Sequence, residues 1–385
     1  MSHPIQYYVP LYRKLAKREE LEVRIFFTWH AGERAMRDRG FEIPIAWDIP
    51  LTEGYDFELV QNVSADPGTH RFSGLRNPSL AARLSAWKPD VLHVTGWAWR
   101  SHLETLIEAR RRGLPSLFRG DSHLLDSPRS GPRWWAKWVW LRWVYSLPTA
   151  FLFVGQANRS YYRAFGVAEP RLRYCPHSID VARFAEPAER LEREAAEWRR
   201  ELGIPENSKV LLFAGKFERK KQPTMLMRAL LDETKQQFVL VLAGAGELGD
   251  EVHELAAAFP SRFRVLPFQN QSRMPVVYRL GDIFVLPSAF GESWGLAANE
   301  ALACSRPVLL SDRVGCAADV VDPSCGEVFA WESGRAMVEA AQRMTGDAVR
   351  LMALSHAAGR KAWAFDVSRT EDATVEAACA VGGRR

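Results

Sequence analysis

Residues 287–303 read PSAFGESWGLAANEALA and follow the short apolar run Ile283–Leu286. An apolar run of this length that ends in a polar, glycine-containing loop predicts a buried strand. The alanine- and leucine-rich end of the stretch predicts a helix that begins near Ser293. Backbone N–H groups at the start of such a helix form an anion site, so this strand–loop–helix unit predicts a ligand-binding edge of an α/β domain.

Two carboxylates lie in this stretch, at Glu292 and Glu300. Glu300 is expected about two turns into the helix, on roughly the same side as Glu292. Carboxylates aimed at one cleft accept hydrogen bonds from sugar and ribose hydroxyls. The alternative is an ordinary helix, in which Glu292 interacts with the helix dipole and Glu300 faces water.

Short apolar runs alternate with helical patterns along the whole chain, which is typical of buried parallel strands in βαβ units. This alternation predicts an α/β protein with two Rossmann-like, doubly wound domains. The predicted strands are Val23–Thr28, Val91–Thr95, Pro115–Arg119, Ala150–Val154, Arg171–Cys175, Val210–Ala214, Phe238–Ala243, Phe263–Leu266, Ile283–Leu286 and Pro307–Ser311.

The predicted domain boundary lies in the segment Tyr174–Phe184, which precedes the charged helical stretch Glu186–Leu202. The domains are expected over residues 1–178 and 179–360. The chain opens with Met1-Ser2-His3-Pro4-Ile5, which is typical of the loop after a first strand rather than of a strand. Either translation starts upstream or the first domain lacks a central strand, and we favour the upstream start.

Two further loops follow predicted strands of the second half. One carries Gly215 and Lys216, with Lys221 five residues later, and the other is the glycine turn Gly244-Ala245-Gly246. Cations in a tight loop would stabilise the charge that grows on a departing diphosphate. Taken singly, the first loop is better explained as a solvated basic turn, and the second is a glycine turn of the kind that commonly ends a strand.

Together the three segments resemble the donor domain of the retaining GT4 family of GT-B glycosyltransferases, also called glycosyl transferases group 1. That family carries a Gly-Arg/Lys loop, a later Lys, a Gly-x-Gly turn and a pair of glutamates separated by seven residues. The matching positions are Gly215-Lys216, Lys221, Gly244 to Gly246, and Glu292 with Glu300-Ala301. The match is looser in the first half, through His3–Tyr7, Gly155–Asn158 and Pro176–Asp180.

The resemblance implies two domains that face each other across a cleft, the first for the acceptor and the second for a nucleotide-sugar donor. A C-terminal helix over residues 361–385 is expected to pack back toward the first domain. Lys216 and Lys221 would hold the diphosphate, Glu300 the ribose and Glu292 the transferred sugar. The other donor-binding positions implied are Gly215, Gly244, Gly246, Gln269 and Asn270 beside the nucleobase, and the backbone of Ser293, Trp294, Gly295 and Leu296.

The segment Phe118–His123 follows a predicted strand of the first half, where ligands bind in such sheets. The family often places a polar residue here, near the reacting sugar. Asp121 and His123 are both candidates for a catalytic role, and the match does not choose between them. The alternative for His123 is a histidine that stabilises its own loop.

The segment Arg133–Trp143 reads RWWAKWVWLRW and contains five of the 14 tryptophans. On a helix Trp134, Trp138, Leu141 and Tyr145 form one stripe that faces the core, and Trp140 and Trp143 point the other way. Tryptophan with lysine and arginine suits a membrane interface. The sequence therefore predicts either peripheral membrane contact through Trp134–Trp143 or a helix buried on both sides.

The net charge is +5 and the pI is about 9.0, which suits an anionic ligand or membrane surface. No basic tail or nucleic-acid motif indicates a nucleic-acid partner. The five cysteines lack metal-ligand spacing, no Asp-x-Asp metal motif stands out, and we expect no metal and no cofactor beyond the UDP- or GDP-linked donor sugar.

These observations predict a retaining, metal-independent glycosyltransferase that acts on a glycan or lipid-linked acceptor in cell-surface polysaccharide or glycolipid assembly. We expect it in the cytoplasm, peripheral to the inner face of the membrane. The alternatives are a nucleotide-sugar epimerase of the same fold and a catalytically silent sugar-nucleotide-binding protein.

Overall fold

The computed structural model describes residues 1–29, 36–37, 44–126, 130–232 and 238–383. The chain divides into two compact units. Unit 1 comprises Met1–Arg34, Pro50–His177 and Val367–Arg385, and unit 2 comprises Ala35–Ile49 and Ser178–Asp366. The predicted division was 1–178, 179–360 and a C-terminal helix over 361–385. In these units Ala35–Ile49 and Ser178 belong to unit 2, and the chain returns to unit 1 at Val367.

Strands and helices alternate along most of the chain. The strands are β1 Arg24–Phe27, β2 Met36–Arg37, β3 Pro44–Ile45, β4 Asp56–Leu59, β5 Leu92–Thr95, β6 Ser116–Arg119, β7 Ala150–Phe153, β8 Leu172–Tyr174, β9 Lys209–Ala214, β10 Phe238–Ala243, β11 Phe263–Leu266, β12 Ile283–Leu286, β13 Val308–Ser311 and β14 Gly326–Phe329. The α-helices are α1 Val9–Leu15, α2 Leu80–Trp87, α3 Arg100–Arg112, α4 Pro132–Val144, α5 Gln156–Ala164, α6 Val181–Ala185, α7 Ala188–Glu201, α8 Pro223–Asp232, α9 Gly249–Ala258, α10 Met274–Arg279, α11 Leu296–Ala303, α12 Ala317–Val320, α13 Gly334–Thr345, α14 Ala348–Ala362 and α15 Val367–Gly382. Short 3₁₀ helices lie at Phe72–Gly74, Glu169–Arg171, Arg219–Lys221 and Trp363–Phe365.

Unit 1 contains the parallel sheet β5-β6-β7-β8 and the parallel pair β1-β4. Every residue of β6 and β7 is buried, as expected for strands covered on both faces. Helix α15 packs against β6, β7 and β8 and against α1, and its Ala377 joins the small core that includes Leu117 and Leu152. The last described helix of the chain therefore completes the core of unit 1.

A cavity of about 500 Å³ lies in unit 1 between the facing edges of β1 and β5. Met1 borders this cavity. Its ammonium donates to the Phe26 carbonyl at 3.0 Å, and the Thr28 N–H donates to the Met1 carbonyl at 3.0 Å. These two bonds are the pattern of a parallel β-bridge between Met1 and Phe27. The residues after Met1 therefore leave the sheet at its carboxyl edge.

Unit 2 is built on a parallel sheet with the order β11-β10-β9-β12-β13-β14. Its strands β9, β10, β12 and β13 are almost wholly buried, because helices cover both faces of such a sheet. The chain starts in the middle at β9, goes outward to β11, and then returns to β12 on the other side of β9. The order reverses between β9 and β12, and ligands of doubly wound sheets bind at the carboxyl ends of the strands beside that point.

The predicted α/β fold with doubly wound parallel sheets is confirmed, and each predicted strand lies within one residue of an observed one. The predicted helix start near Ser293 is wrong by one turn. Gly295 adopts a left-handed conformation with φ of +96°, and the helix begins at Leu296. Glu292 therefore lies in the loop before α11, and Glu300 lies in its second turn.

The predicted two-sided character of α4 is also confirmed. Leu141 and Tyr145 are buried, and Trp134 and Trp138 pack against the core of unit 1. Trp140 and Trp143 are exposed on the opposite side. Within the described part of the chain, no helix combines the length and the apolar character that crossing a bilayer requires.

Candidate functional site

The candidate site of unit 2 lies at the carboxyl ends of its parallel strands. The loops that follow β9, β10, β11, β12 and β13 all leave the sheet at this edge. The loop after β9 carries Gly215 to Lys221, and the loop after β12 carries Ser288 to Gly295. Because β9 and β12 are neighbours, these two predicted segments meet at the reversal of strand order.

An ion pair joins the two central loops. The Lys221 ammonium lies 2.7 Å from a Glu292 carboxylate oxygen, and both side chains are mostly buried. The Ser288 hydroxyl donates to the same carboxylate at 3.2 Å. Burial alone raises the pKa of Glu292, but the Lys221 cation and its hydrogen bond outweigh that effect, so the net pKa is lowered. Glu292 is thus held as a carboxylate beside the Lys221 cation.

The glycines of the first two loops pack backbone against backbone. A Cβ on Gly244 would lie 1.9 Å from the Gly215 carbonyl oxygen, which no side chain tolerates. The Phe217 N–H donates to the Ala245 carbonyl, and the Leu248 N–H donates to the Phe217 carbonyl. The glycine turn of residues 244–246 therefore fixes the path of the loop that carries Lys216 and Lys221, and Gly246 itself has a φ of +147°.

The lysines of the loop after β9 differ in their exposure and in their ion-pair partners. Lys216 follows Gly215 and is partly exposed at the edge of the sheet. Lys220 forms an ion pair with Glu218 at 3.1 Å on the outer side of the same loop. Within this loop the charge of Lys220 is therefore matched by Glu218 and that of Lys221 by Glu292, and all three lysines follow the carboxyl end of β9.

The start of α11 brings backbone N–H groups to the same edge. A Cβ on Gly315, in the loop after β13, would lie 2.0 Å from the Ser293 carbonyl oxygen. The Trp294 side chain is buried and its indole N–H donates to the Asn299 amide oxygen at 3.1 Å. Trp294 therefore belongs to the core through its side chain, and any contact that it makes with a ligand would be through its backbone.

Glu300 is buried inside unit 2 and does not face bulk water. The Tyr278 hydroxyl, from α10, donates to a Glu300 carboxylate oxygen at 2.6 Å. Tyr278 itself is buried against Phe184 and Phe284. Tyr278 therefore orients the carboxylate, and no local sequence pattern indicated this role.

Replacing Tyr278 with phenylalanine should weaken nucleoside diphosphate binding by about 2- to 10-fold, because one hydrogen bond to the Glu300 carboxylate is lost. The affinity would be measured by calorimetry. Tyr55→Phe is a matched control, since it removes a tyrosine hydrogen bond to a backbone carbonyl in unit 1. Equal affinities for Tyr278→Phe and the wild type would show that Tyr278 does not position Glu300 for the ligand.

The loop after β11 is bound by a segment from the first half of the chain. The Asn270 amide donates to the Ala46 carbonyl at 2.6 Å and accepts from the Asp48 N–H at 3.3 Å. The Ser272 N–H donates to the Asp48 carboxylate, and Trp47 packs edge-on against Phe268. The Asn270 side chain, predicted to lie beside the donor, therefore holds this segment, and Asp48 and Trp47 are additions that the sequence did not indicate.

Gln269 lies in the same loop and is partly exposed. Its side-chain amide donates to the Pro267 carbonyl at 3.0 Å. This bond turns the side chain toward its own loop. The Gln269 side chain, predicted to lie beside the nucleobase, therefore bonds within its own loop.

The candidates of unit 1 lie after β6. His123 is buried, its Nδ1 accepts from the Leu125 N–H at 3.2 Å, and it lies 3.9 Å from Asp126. Asp121 is about half exposed and lies 3.8 Å from His177. Burial lowers the pKa of His177, although Asp121 opposes that shift. His123 thus stabilises its own loop, and Asp121 with His177 is the pair that a ligand at this edge would meet.

The unit 2 geometry suits a phosphorylated ligand with hydroxyl groups. Two lysines and the N–H groups before α11 are donors for a diphosphate. The buried Glu300 and the loop carboxylate Glu292 are acceptors for hydroxyls. Donors and acceptors meet at one edge of the sheet, which is the chemistry that a nucleotide sugar requires.

Two family models match the chain in succession. The model described as Glycosyl transferase 4-like domain matches residues 5–177, and the model described as Glycosyl transferases group 1 matches residues 194–360. The chain is 27% identical over 378 residues to a protein of Rhodococcus opacus named D-inositol 3-phosphate glycosyltransferase, with 89% of this chain and 82% of that protein covered. A protein of the same name from Salinispora arenicola is 30% identical, with 54% of this chain and 50% of that protein covered.

Solved structures share the fold at low sequence identity. Anabaena HepE in complex with UDP and glucose has a TM-score of 0.69 and 16% identity, with 98% and 96% of the two chains covered. WaaG, a glycosyltransferase involved in lipopolysaccharide biosynthesis, has a TM-score of 0.64 and 14% identity, with 100% and 98% covered.

Proposed function

Since the chain is a GT4-like glycosyltransferase of the GT-B fold, we propose that it is a retaining, metal-independent enzyme. In this proposal it moves a sugar from a UDP- or GDP-linked donor to an acceptor. The observation that carries the proposal is the Lys221–Glu292 pair at the reversal of strand order in unit 2. The epimerase alternative loses its support, because both family models describe glycosyl transferases.

The proposed reaction forms one bond and breaks one. The acceptor oxygen bonds to the anomeric carbon of the donor sugar, the bond from that carbon to the diphosphate breaks, and the acceptor hydroxyl releases its proton. Negative charge grows on the leaving diphosphate. Lys216, Lys221 and the N–H groups before α11 would stabilise this charge in place of a divalent cation. Retention of the anomeric configuration is proposed from the resemblance to the GT4 family.

The remaining residues take roles that follow from their positions. Glu300, oriented by Tyr278, would bind the ribose hydroxyls, and Glu292 would bind the transferred sugar. The Phe268 loop would lie beside the nucleobase. Asp121 is the better candidate of unit 1 for contact near the reacting sugar, because His123 is buried and bonded within its own loop.

We assign the enzyme to cell-surface polysaccharide or glycolipid assembly, with a glycan or lipid-linked acceptor at the inner face of the membrane. The basic pI of about 9.0 supports work near an anionic surface. A second acceptor is an inositol phosphate, which is supported by the name of the Rhodococcus opacus relative and by its alignment over 82% of that protein.

The first measurement is a thermal-shift screen with UDP, GDP, UMP and pyrophosphate. A ligand that binds the folded state raises the melting temperature more the tighter it binds, and about 2.7 kcal/mol is expected at a hundredfold excess over Kd. We expect one nucleoside diphosphate to stabilise the protein more than its monophosphate and more than pyrophosphate. The nucleotide identified in this way selects the donor sugars for the activity assay.

The activity assay combines those donors with glycan, lipid-linked and inositol phosphate acceptors, with and without EDTA. We expect acceptor-dependent release of the nucleoside diphosphate that EDTA does not abolish, and a product whose NMR coupling shows the anomeric configuration of the donor. Inversion would reject the retaining proposal, and loss of activity in EDTA would reject metal independence. Binding without any turnover would favour the silent sugar-nucleotide-binding protein.

A further inference from the structure

Helix α4 has one face that belongs to the core of unit 1. Leu141 and Val144 are buried on this face, and Trp134 packs against Phe165. The Trp138 indole N–H donates to the Ala164 carbonyl at 3.1 Å. These contacts fix the rotation of the helix about its axis, so the orientation of its other face is fixed as well.

The opposite face presents large apolar side chains to solvent. Trp135 is 60% exposed, Val139 62%, Trp140 41% and Trp143 43%. Trp140 is held in place by ring contacts with Trp143 at 4.9 Å and with Trp97 at 6.1 Å. Clustered exposed apolar side chains mark a surface that binds something, whereas single ones are ordinary. We call Trp135, Val139, Trp140 and Trp143 the α4 apolar face.

Cations flank this face and no acidic residue occurs in α4. Arg133, Lys137 and Arg142 are all exposed. The Lys137 ammonium lies 5.5 Å from the centre of the Tyr161 ring, and the Arg142 guanidinium lies 4.7 Å from the centre of the Trp138 ring. These ring contacts hold Lys137 and Arg142 beside the α4 apolar face and leave their charges in place for an anion.

The α4 apolar face by itself is smaller than the area that a stable protein interface buries. Helix α4 has 13 residues, which gives a length of about 20 Å, and a helix with its side chains is roughly 10 Å wide. The projected area is then about 200 Å². A specific protein interface buries about 800 Å² on each partner. A lipid surface has no such requirement, and indole rings with flanking cations are the side chains that favour the headgroup layer.

We propose that the α4 apolar face binds an anionic lipid bilayer, with Trp135, Val139, Trp140 and Trp143 in the headgroup layer and Arg133, Lys137 and Arg142 at the lipid phosphates. This surface deepens the proposed function, since it places the acceptor-binding half of the enzyme at the membrane. Each basic residue near an anionic surface contributes on the order of 1 kcal/mol. The three cations and the rings together give attachment that salt weakens but does not fully remove.

The test is co-sedimentation with phosphatidylcholine vesicles that contain either no anionic lipid or about 30 mol% phosphatidylglycerol. We expect binding only to the anionic vesicles, at least tenfold weaker in high salt. The variant Trp135→Ser/Trp140→Ser/Trp143→Ser should bind at least tenfold more weakly than the wild type at low salt. Trp363→Ser is the matched control, because Trp363 is 48% exposed on unit 2 and lies outside the α4 apolar face.

Several outcomes would overturn the proposal. The proposal is rejected if the wild-type protein does not bind anionic vesicles at low salt. It is also rejected if the triple variant binds these vesicles as tightly as the wild type. If light scattering shows a wild-type dimer that the triple variant converts to a monomer, the face binds a second copy instead. Thermal melts of each variant establish that it is folded. Glu300→Ala should bind vesicles like the wild type, so failure of the donor-site proposal and failure of this one are separable.

Discussion

Lys221→Ala is expected to lower kcat by about 10²- to 10³-fold, with a much smaller change in KM, as found when one preorganised donor to a developing anion is removed. Lys221 is mostly buried between the loops after β9 and β12 and pairs with Glu292 at 2.7 Å. In such a site its charge is poorly screened by water, and under the proposed mechanism its contact with the diphosphate would strengthen as the bond from the sugar to the diphosphate breaks. Steady-state kinetics with the donor selected by the thermal-shift screen would measure the change.

Two variants control this experiment. Lys220→Ala removes a cation of the same loop that pairs with Glu218, and it should change kcat little. Lys221→Ala leaves Glu292 without its cation, which itself destabilises the protein, because a buried charge loses its partner. The double variant Lys221→Ala/Glu292→Gln should recover thermal stability but not kcat. Lys216→Ala should also lower kcat more than it raises KM. If both lysine variants change KM alone, the lysines only bind the donor.

Glu300→Ala is expected to weaken nucleoside diphosphate binding by about 10- to 100-fold, since hydrogen bonds to a charged group contribute roughly 1.5–3 kcal/mol each. Glu300 is buried and is held by Tyr278. If the carboxylate binds the ribose, a 2′,3′-dideoxy nucleoside diphosphate lacks its partner hydroxyls. The wild type should then bind the dideoxy ligand weakly, and Glu300→Ala should bind both ligands alike.

Calorimetry with both ligands gives this comparison directly. Glu327→Ala serves as the control, because Glu327 lies on β14 and pairs with Arg343 and Arg350 instead of a ligand. An unchanged affinity of Glu300→Ala for the ribose-containing ligand would end the ribose assignment. A loss of equal size for both ligands would show that Glu300 acts on the fold of the site and not on the sugar hydroxyls.

The central strands of both units were predictable because each contains a short apolar run between polar loops. Burial on both faces requires such a run, so composition alone marks β6, β7, β9, β10 and β12. Sequence patterns did not indicate β4 or β14. The residues of β4 are exposed or half-buried, and β14 is the last strand of its sheet, so neither has to be apolar throughout.

The residues of the candidate site also fall into two groups, those whose positions the sequence predicted and those that only the structure revealed. The positions of Lys216, Lys221 and Glu292 at the carboxyl edge of the sheet were predictable, because each lies in a loop that follows a strand. Tyr278 and Asp48 were not predictable, since each meets its partner through a contact distant in sequence, to Glu300 in one case and to Ser272 in the other. The sequence could not separate Asp121 from His123 as candidates, because the hydrogen bond from the Leu125 N–H to His123 leaves no sequence signature.

Unit 1 is built from segments that lie far apart in the sequence, and this affects how the nascent chain folds during translation. On the ribosome, residues 50–177 emerge long before α15, whose Ala377 packs on Leu117 and Leu152. Until α15 has been translated, the apolar strands β6, β7 and β8 lack the helix that covers them. The segment Ser178–Asp366 emerges in between and can reach its own fold first. The nascent chain therefore carries an uncovered apolar surface through half of its synthesis, the period in which chaperones bind such surfaces and aggregation begins.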